Sequence, residues 1–409
     1  MSGMKSTLLI LLTLSIVLSA EYANAGGEEY SLYGVGDLSL LPSGRSMGLG
    51  SMSAALWSTS SLLPRNPASW GSMKTAELQG TLNYENIATN SAGDQSFYGS
   101  SNMQGATLGF PILPQQGMTL GIGFIPFSTV RYAFNSDVQT VSTADSVSSQ
   151  SSYTGTGGIS TFFLGTSFSP VSWLSLGAAF EYNFGAISRS VDVLFNSASQ
   201  YNHTLVTRNI SPDGFDARIA AMVTTGALTV GTTVRLPAIW RMVSRQTYSA
   251  TTFGAVDTTV TSEYNQDIPL SLSAGASFGI AEFRFGVEYG MEDWSAAKTD
   301  GVHPQELRSS NTIGFGVERT GTKTATGLDR WDLRLGGLYR ASYVTVNGTP
   351  INEAYVTFGA GIPVNAQTAI DIGIQYGSRG TTTNGLVREN VFRLTTTFSI
   401  NEAWFQTRE

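Results

Sequence analysis

Residues 174–184 read Leu174-Ser175-Leu176-Gly177-Ala178-Ala179-Phe180-Glu181-Tyr182-Asn183-Phe184, and their alternation decides the fold. Leu174, Leu176, Ala178, Phe180, Tyr182 and Phe184 fall on one side, with Ser175, Gly177, Ala179, Glu181 and Asn183 on the other. A period of two marks a strand with one apolar and one polar face. The pattern returns at 281–289, where Phe283, Phe285, Val287 and Tyr289 oppose Glu282, Arg284, Gly286 and Glu288. It returns again at 392–400, where Phe392, Leu394, Phe398 and Ile400 oppose Arg393, Thr395, Thr397 and Ser399.

Working outward from these, strand-like segments lie near 75–86, 102–112, 117–136, 153–168, 172–195, 203–225 and 227–247. Others lie near 258–278, 280–290, 309–319, 330–343, 353–363, 367–378 and 388–400. Short turns such as Ser169-Pro170-Val171, Thr225-Gly226 and Pro363-Val364-Asn365 alternate with longer polar loops such as 137–152, 248–257 and 291–308. An even strand count with connections alternately short and long predicts an all-β fold. The expected form is a transmembrane barrel of about fourteen antiparallel strands in a bacterial outer membrane. Closure satisfies every backbone group where no water reaches.

The composition fits that reading. Charged residues are 13% of the chain, against roughly 25% in soluble globular proteins. Cys is absent, so no disulfide staples are expected. The net charge of −7, with Lys only at 5, 74, 298 and 323, argues against a nucleic-acid surface. Lys5, the apolar run Leu8–Leu18 and Ala23-Asn24-Ala25 have the layout of a secretory signal over 1–25. Residues 26–73 lack alternation and carry Gly34, Gly36, Gly44, Gly48 and Gly50. Their simplest placement is a plug inside the lumen, since a fourteen-strand barrel is too wide for its own side chains to fill. The barrel itself is assigned to 74–409.

Three N-terminal motifs carry a family resemblance: Tyr30 to Leu38 (YSLYGVGDL), Arg45 to Gly50 (RSMGLG) and Asn66-Pro67-Ala68. With Gly121 to Phe127 (GIGFIPF) and Asn401 to Phe405 (NEAWF), they resemble FadL-type outer-membrane transport proteins, most of all Bacteroidetes and Chlorobi-like members. The resemblance implies a plugged barrel admitting long-chain fatty acids, aromatic hydrocarbons or similar apolar molecules, with membrane lipid and lipopolysaccharide around it. The residues expected to meet the ligand from the plug are Met47, Leu49, Met52, Leu56, Trp57, Leu62, Leu63, Asn66, Pro67 and Ala68. Some relatives resemble PorV-type barrels of the type IX secretion system, which implies the alternative of holding exported protein partners.

Pro126 is the sharpest single signal. Proline cannot donate to a ladder and sits at edges, strand starts or bulges. A closed barrel has no edge, so Pro126 marks a break in strand three, and Gly123, Pro126 and Phe127 are the expected lateral gate. Each other motif has a plainer reading. Gly48-Leu49-Gly50 has no strand before it and no acidic residue about 20 positions on, so a tight turn outweighs a dinucleotide loop. The two His, His203 and His303, lie in or next to long loops; His203 has no adjacent Asp or Glu in sequence and neither sits in a motif, so surface loop residues are the better reading. No catalytic set, metal cluster or cofactor motif is expected.

Overall fold

The computed structural model describes residues 26–402 apart from 41–42, 59–60, 92–93, 137, 143–146, 197–201, 251–256 and 323. The signal-like segment 1–25 and Ala403-Trp404-Phe405 lie outside the described residues.

Fourteen antiparallel strands close into one ring. They are β1 (Ala76–Ser91), β2 (Asp94–Leu113), β3 (Met118–Thr129, continued by Tyr132–Asn135 and Gln139–Ser142), β4 (Val147–Val171) and β5 (Leu174–Phe195). Next come β6 (Thr204–Thr225), β7 (Leu228–Arg235 and Ala238–Ala250), β8 (Thr258–Ile268 and Ser271–Ile280), β9 (Phe283–Glu292) and β10 (Ser310–Arg319). The ring ends with β11 (Asp332–Val346), β12 (Thr349–Pro363), β13 (Thr368–Gly380) and β14 (Arg388–Glu402). Closure is the β14–β1 ladder, from Arg388↔Asn90 to Glu402↔Ala76. Each strand is flanked by its sequence neighbours, so every hairpin forms locally.

The in/out alternation matches the sequence pattern. Phe180 is 54% exposed and its neighbour Glu181 3%. Phe285, Val287, Phe315, Leu335 and Phe358 are likewise exposed, which makes an apolar belt around a closed ring. Such a belt is stable against lipid and costly against water. Val287→Arg, at the middle of β9, is therefore expected to cost about 2–4 kcal/mol of assembly free energy near the midplane. Heat-dependent gel mobility of the variant, against Val287→Leu, checks this.

Several strand ends run further than the apolar pattern. β1 reaches Ser91, β2 starts at Asp94, and β4 starts at Val147, all in Ser/Thr-rich stretches. β11 and β12 meet at Asn347-Gly348, both with positive φ (50° and 73°), where the apolar pattern suggests a longer loop. That dipeptide favours a two-residue hairpin turn. The long-connection end is the external one by the usual rule for such barrels. There β4 runs 25 residues while β9 and β10 run 10 each. A wall formed by β3 to β8 therefore rises well beyond the rest of the rim.

Residues 26–75 contact the inward faces of strands around the ring. Ser53 and Ala54 N–H donate to Glu288 on β9 (2.6 and 2.7 Å), Gly50 N–H to Thr357 on β12 (3.1 Å) and Gly44 N–H to Thr397 on β14 (3.0 Å). Ser277 on β8 donates to Ala55 O and Ser175 on β5 to Ala68 O. The inner face is not polar throughout. Toward the external end Ile159, Ile187, Ile210, Met242 and Trp240 form one apolar cluster with Tyr30, Val35 and Leu38. The alternation of apolar and polar residues predicts a polar inner face; here the N-terminal segment supplies an apolar partner, and burial rewards apolar wall residues.

Candidate functional site

The wall is interrupted beside Pro126. The β2–β3 ladder runs from the periplasmic turn up to Ala106↔Phe124 and stops. Beyond that level β2 stays paired with β1, whereas β3 pairs with the N-terminal segment: Leu38↔Ser128, Asp37↔Thr129, then Gly27↔Tyr132 and Gly26↔Ala133. Two irregularities at one height splay the strands. β3 shifts register against β4 between Pro126 and Ser128, which leaves Phe127 as the extra residue. β2 shifts against β1 at Gln104. There Gly105 has φ +135°, and a Cβ would lie 2.4 Å from Phe124 O, a conformation open only to glycine. Arg131 bridges the interval, pairing with Glu85 on β1 (2.9 Å) and Glu28 of the segment (3.3 Å), and donating to Ser100 on β2 (2.5 Å).

Buried ion pairs fix the segment at this point. Asp37 meets Arg340 of β11 at 2.7 Å and Arg379 of β13 at 2.9 Å. Arg340 also pairs with Glu353 at 2.5 Å and donates to Leu38 O at 2.9 Å. Arg393 bonds Glu85 and faces Asp37 at 3.5 Å. Lower down, Arg45 meets Glu318 at 2.9 Å, and Glu318 also holds Arg334. Low local dielectric strengthens these pairs, and burial makes each member costly to orphan.

A cavity lies between the segment and the wall. Leu38, Leu40, Ile125, Pro126 and Phe127 are its apolar lining, beside the interrupted ladder. Its charged lining includes Arg65, Arg218, Arg235, Glu181, Glu288 and Glu292. Arg218 is paired with Glu181 at 2.7 Å. Arg235 stacks over the Phe127 ring (4.9 Å) and faces Glu292 at 3.5 Å. Arg65 donates to Ser39 O; burial, then neighbouring Arg218, lowers its pKa to about 10, so it stays charged near neutral pH.

The segment residues singled out from sequence pack elsewhere. Leu49, Met52, Leu56 and Leu63 form one buried cluster, and Leu62 another with Trp70, Ile125 and Phe163. Met47 lies against Gly373, and Trp57 under Arg284 (4.9 Å). Asn66 is a hub: its amide donates to Ser53 O and Ala54 O, its Oδ1 accepts Ala68 N–H, and Pro67-Ala68 open a 3-10 turn. None of these ten lines the cavity, whereas Pro126 and Phe127 do. Gly123 instead faces Ala106 and Thr107 of β2. Arg65 is a cavity residue that the expected site leaves out, as it does Arg218 and Arg235. Its signal is that Arg45 and Arg65 are the sole charged residues between 39 and 73.

Closed fourteen-strand ring, outward apolar belt and inward N-terminal contacts together define an outer-membrane β-barrel. The BamG family model matches residues 4–409, and the chain belongs to that family. Among solved structures it is similar to the toluene transporter TodX of P. putida, at 14% identity and TM-score 0.62, covering 88% of this chain and 98% of that one. The monoaromatic hydrocarbon channel CymD matches at 14% and 0.60, covering 90% of this chain and 98% of that one. A FadL homologue of Pseudomonas aeruginosa matches at 13% and 0.62, covering 88% and 98%. At such identities the likeness is one of fold. No curated protein sequence matches the chain.

Proposed function

We propose that this barrel passes apolar or amphiphilic small molecules, such as long-chain fatty acids or hydrocarbons, across the outer membrane. Residues 26–73 act as its plug, and the molecule leaves sideways between β2 and β3. One observation carries the reading: the cavity meets the wall at Ile125, Pro126 and Phe127, the level at which the β2–β3 ladder ends. A ligand held there has Leu38, Leu40 and Phe127 around its chain and Arg65 or Arg235 near a polar head. Burying an acyl chain yields ~0.8 kcal/mol per CH₂, so binding requires no cofactor. Passage needs the plug strand at 37–39 to leave β3. Two of the solved barrels named above are described as a monoaromatic hydrocarbon channel and a toluene transporter, which agrees with this reading.

Phe127→Ala should weaken binding of a fluorescent long-chain fatty acid to the purified barrel by about tenfold, or ~1.4 kcal/mol. Undiminished binding would place the ligand away from the strand-three break. A second reading, a PorV-like barrel that holds exported protein partners outside the cell, is favoured by the raised wall of β3 to β8. The two roles use different surfaces.

A further inference from the structure

The raised wall ends in an uncovered strand edge. Thr258–Ile268, the external half of β8, pairs on one side with β7, from Tyr248↔Thr258 to Ala238↔Ile268. On its other side β9 reaches only the lower half, Ser271–Ile280. A short stub of the β9–β10 connection covers the next two outward-pointing residues. Asp267 N–H donates to Lys298 O (2.9 Å), Asp300 N–H donates to Asn265 O (2.7 Å), and Gln266 bridges to Thr299. The chain then turns away at Asp300 and Gly301, both with positive φ. Among the described residues nothing pairs with 258–264 on that side.

In an antiparallel strand both polar groups of one residue point the same way and alternate along the chain. Since Asn265 and Asp267 face the stub, Thr259, Thr261 and Glu263 present their N–H and C=O groups to the open side. Residues 258–263 are exposed on both faces. The run Thr258-Thr259-Val260-Thr261-Ser262-Glu263-Tyr264 is rich in strand formers and holds no Pro, Lys or Gly to blunt the edge.

We infer that this edge receives an extended segment of another polypeptide, which adds a strand beside β8. The unused groups select the occupant, because only an extended backbone matches a repeating ladder of donors and acceptors. Alternate side chains of the incoming strand meet the face that Val260 and Tyr264 share with Tyr248 of β7, where Arg208 lies 5.7 Å over the Tyr264 ring. A second copy of this chain does not fit. Self-pairing of one antiparallel edge requires a twofold axis perpendicular to the sheet. In a barrel wall that axis lies in the membrane plane and would invert the second barrel. The inference rests on the partner-holding reading and is independent of transport.

Thr261→Pro tests it, because it removes only an N–H on the open side and leaves the β7 ladder intact. Wild type, Thr261→Pro and Thr261→Val are isolated from native outer membranes in mild detergent. Amide exchange over 258–264 is then compared with that of the barrel refolded alone, with heat-dependent mobility confirming the fold. Exchange at 259–263 should be at least tenfold slower in the native wild-type and Thr261→Val preparations, each carrying a co-purifying polypeptide. Thr261→Pro should lose both the slowing and the polypeptide. A polypeptide that stays with Thr261→Pro overturns the edge as its site while the partner-holding reading stands. Slow exchange with the mass of two barrels overturns the inference in favour of a second copy. Fast exchange and no partner in every preparation overturns both.

Discussion

Arg340→Leu is expected to lower the stability of the folded barrel by about 3–5 kcal/mol, the usual cost of orphaning a buried ion pair. Arg340 is 3% exposed and serves three acceptors at once: Glu353, Asp37 and the Leu38 carbonyl. Asp37 would keep Arg379, but among the described residues Glu353, 2% exposed, would keep only the Tyr355 hydroxyl. The loss also removes the main tie between β11 and the segment at 37–38. Denaturant unfolding of barrels refolded into vesicles measures the change. Arg241→Leu is the control. Its partner Glu263 lies 3.8 Å away and both are 57% exposed, so its loss should cost about 0–1 kcal/mol. Equal losses would mean that the lumen pairs are solvated.

Gly231→Val should have the largest effect on permeability. Gly231 faces inward on β7, and a Cβ there would sit 1.8 Å from Ala54 O. Ala54 cannot easily retreat, because its N–H is held by Glu288 and its carbonyl by Asn66. Overpacking of a fixed contact costs about 1–3 kcal/mol, occasionally more. Displacing residues 53–57 relieves it. The barrel should still assemble, yet cells should admit bulky hydrophilic antibiotics at least tenfold faster. Gly279→Ala, whose Cβ would meet nothing nearer than 3.9 Å, should leave permeability unchanged. Full assembly with normal permeability in Gly231→Val would show that the segment relaxes in place.

Much of the architecture was legible because a barrel strand writes its own pattern. Phe180 and Glu181, or Phe285 and Arg284, declare their faces from sequence alone, and hairpin order follows from short turns. The extended ends of β1, β2 and β4 were illegible, since Ser and Thr on both faces carry no period once the strand leaves the lipid. Asn347-Gly348 was a readable turn that the apolar pattern obscured.

The candidate site was less legible. Pro126 announced a break in β3, but Gln104-Gly105 on the facing strand gave no equivalent signal, because a bulge is defined by register. The Asp37–Arg340–Arg379 group joins residues more than 300 positions apart, and only closure of the ring brings them together. Apolar segment residues such as Met52 and Leu63 look the same in sequence whether they meet a ligand or one another.

On the proposed route a molecule passes only when the segment at 37–39 parts from β3. Leu38 and Ser128 are paired residues. One step along, Ser39 N–H donates to Phe127 O at 2.9 Å, so Leu38 and Ser128 form the closely spaced, non-hydrogen-bonded pair suited to a disulfide. The chain has no Cys, so Leu38→Cys with Ser128→Cys introduces one bond without competitors. The measurement is uptake of a labelled long-chain fatty acid by cells carrying the double variant, oxidised and then reduced. Uptake at least tenfold lower when oxidised, restored by reductant and normal in each single variant, is the predicted result. Undiminished uptake with the disulfide fully formed would contradict it.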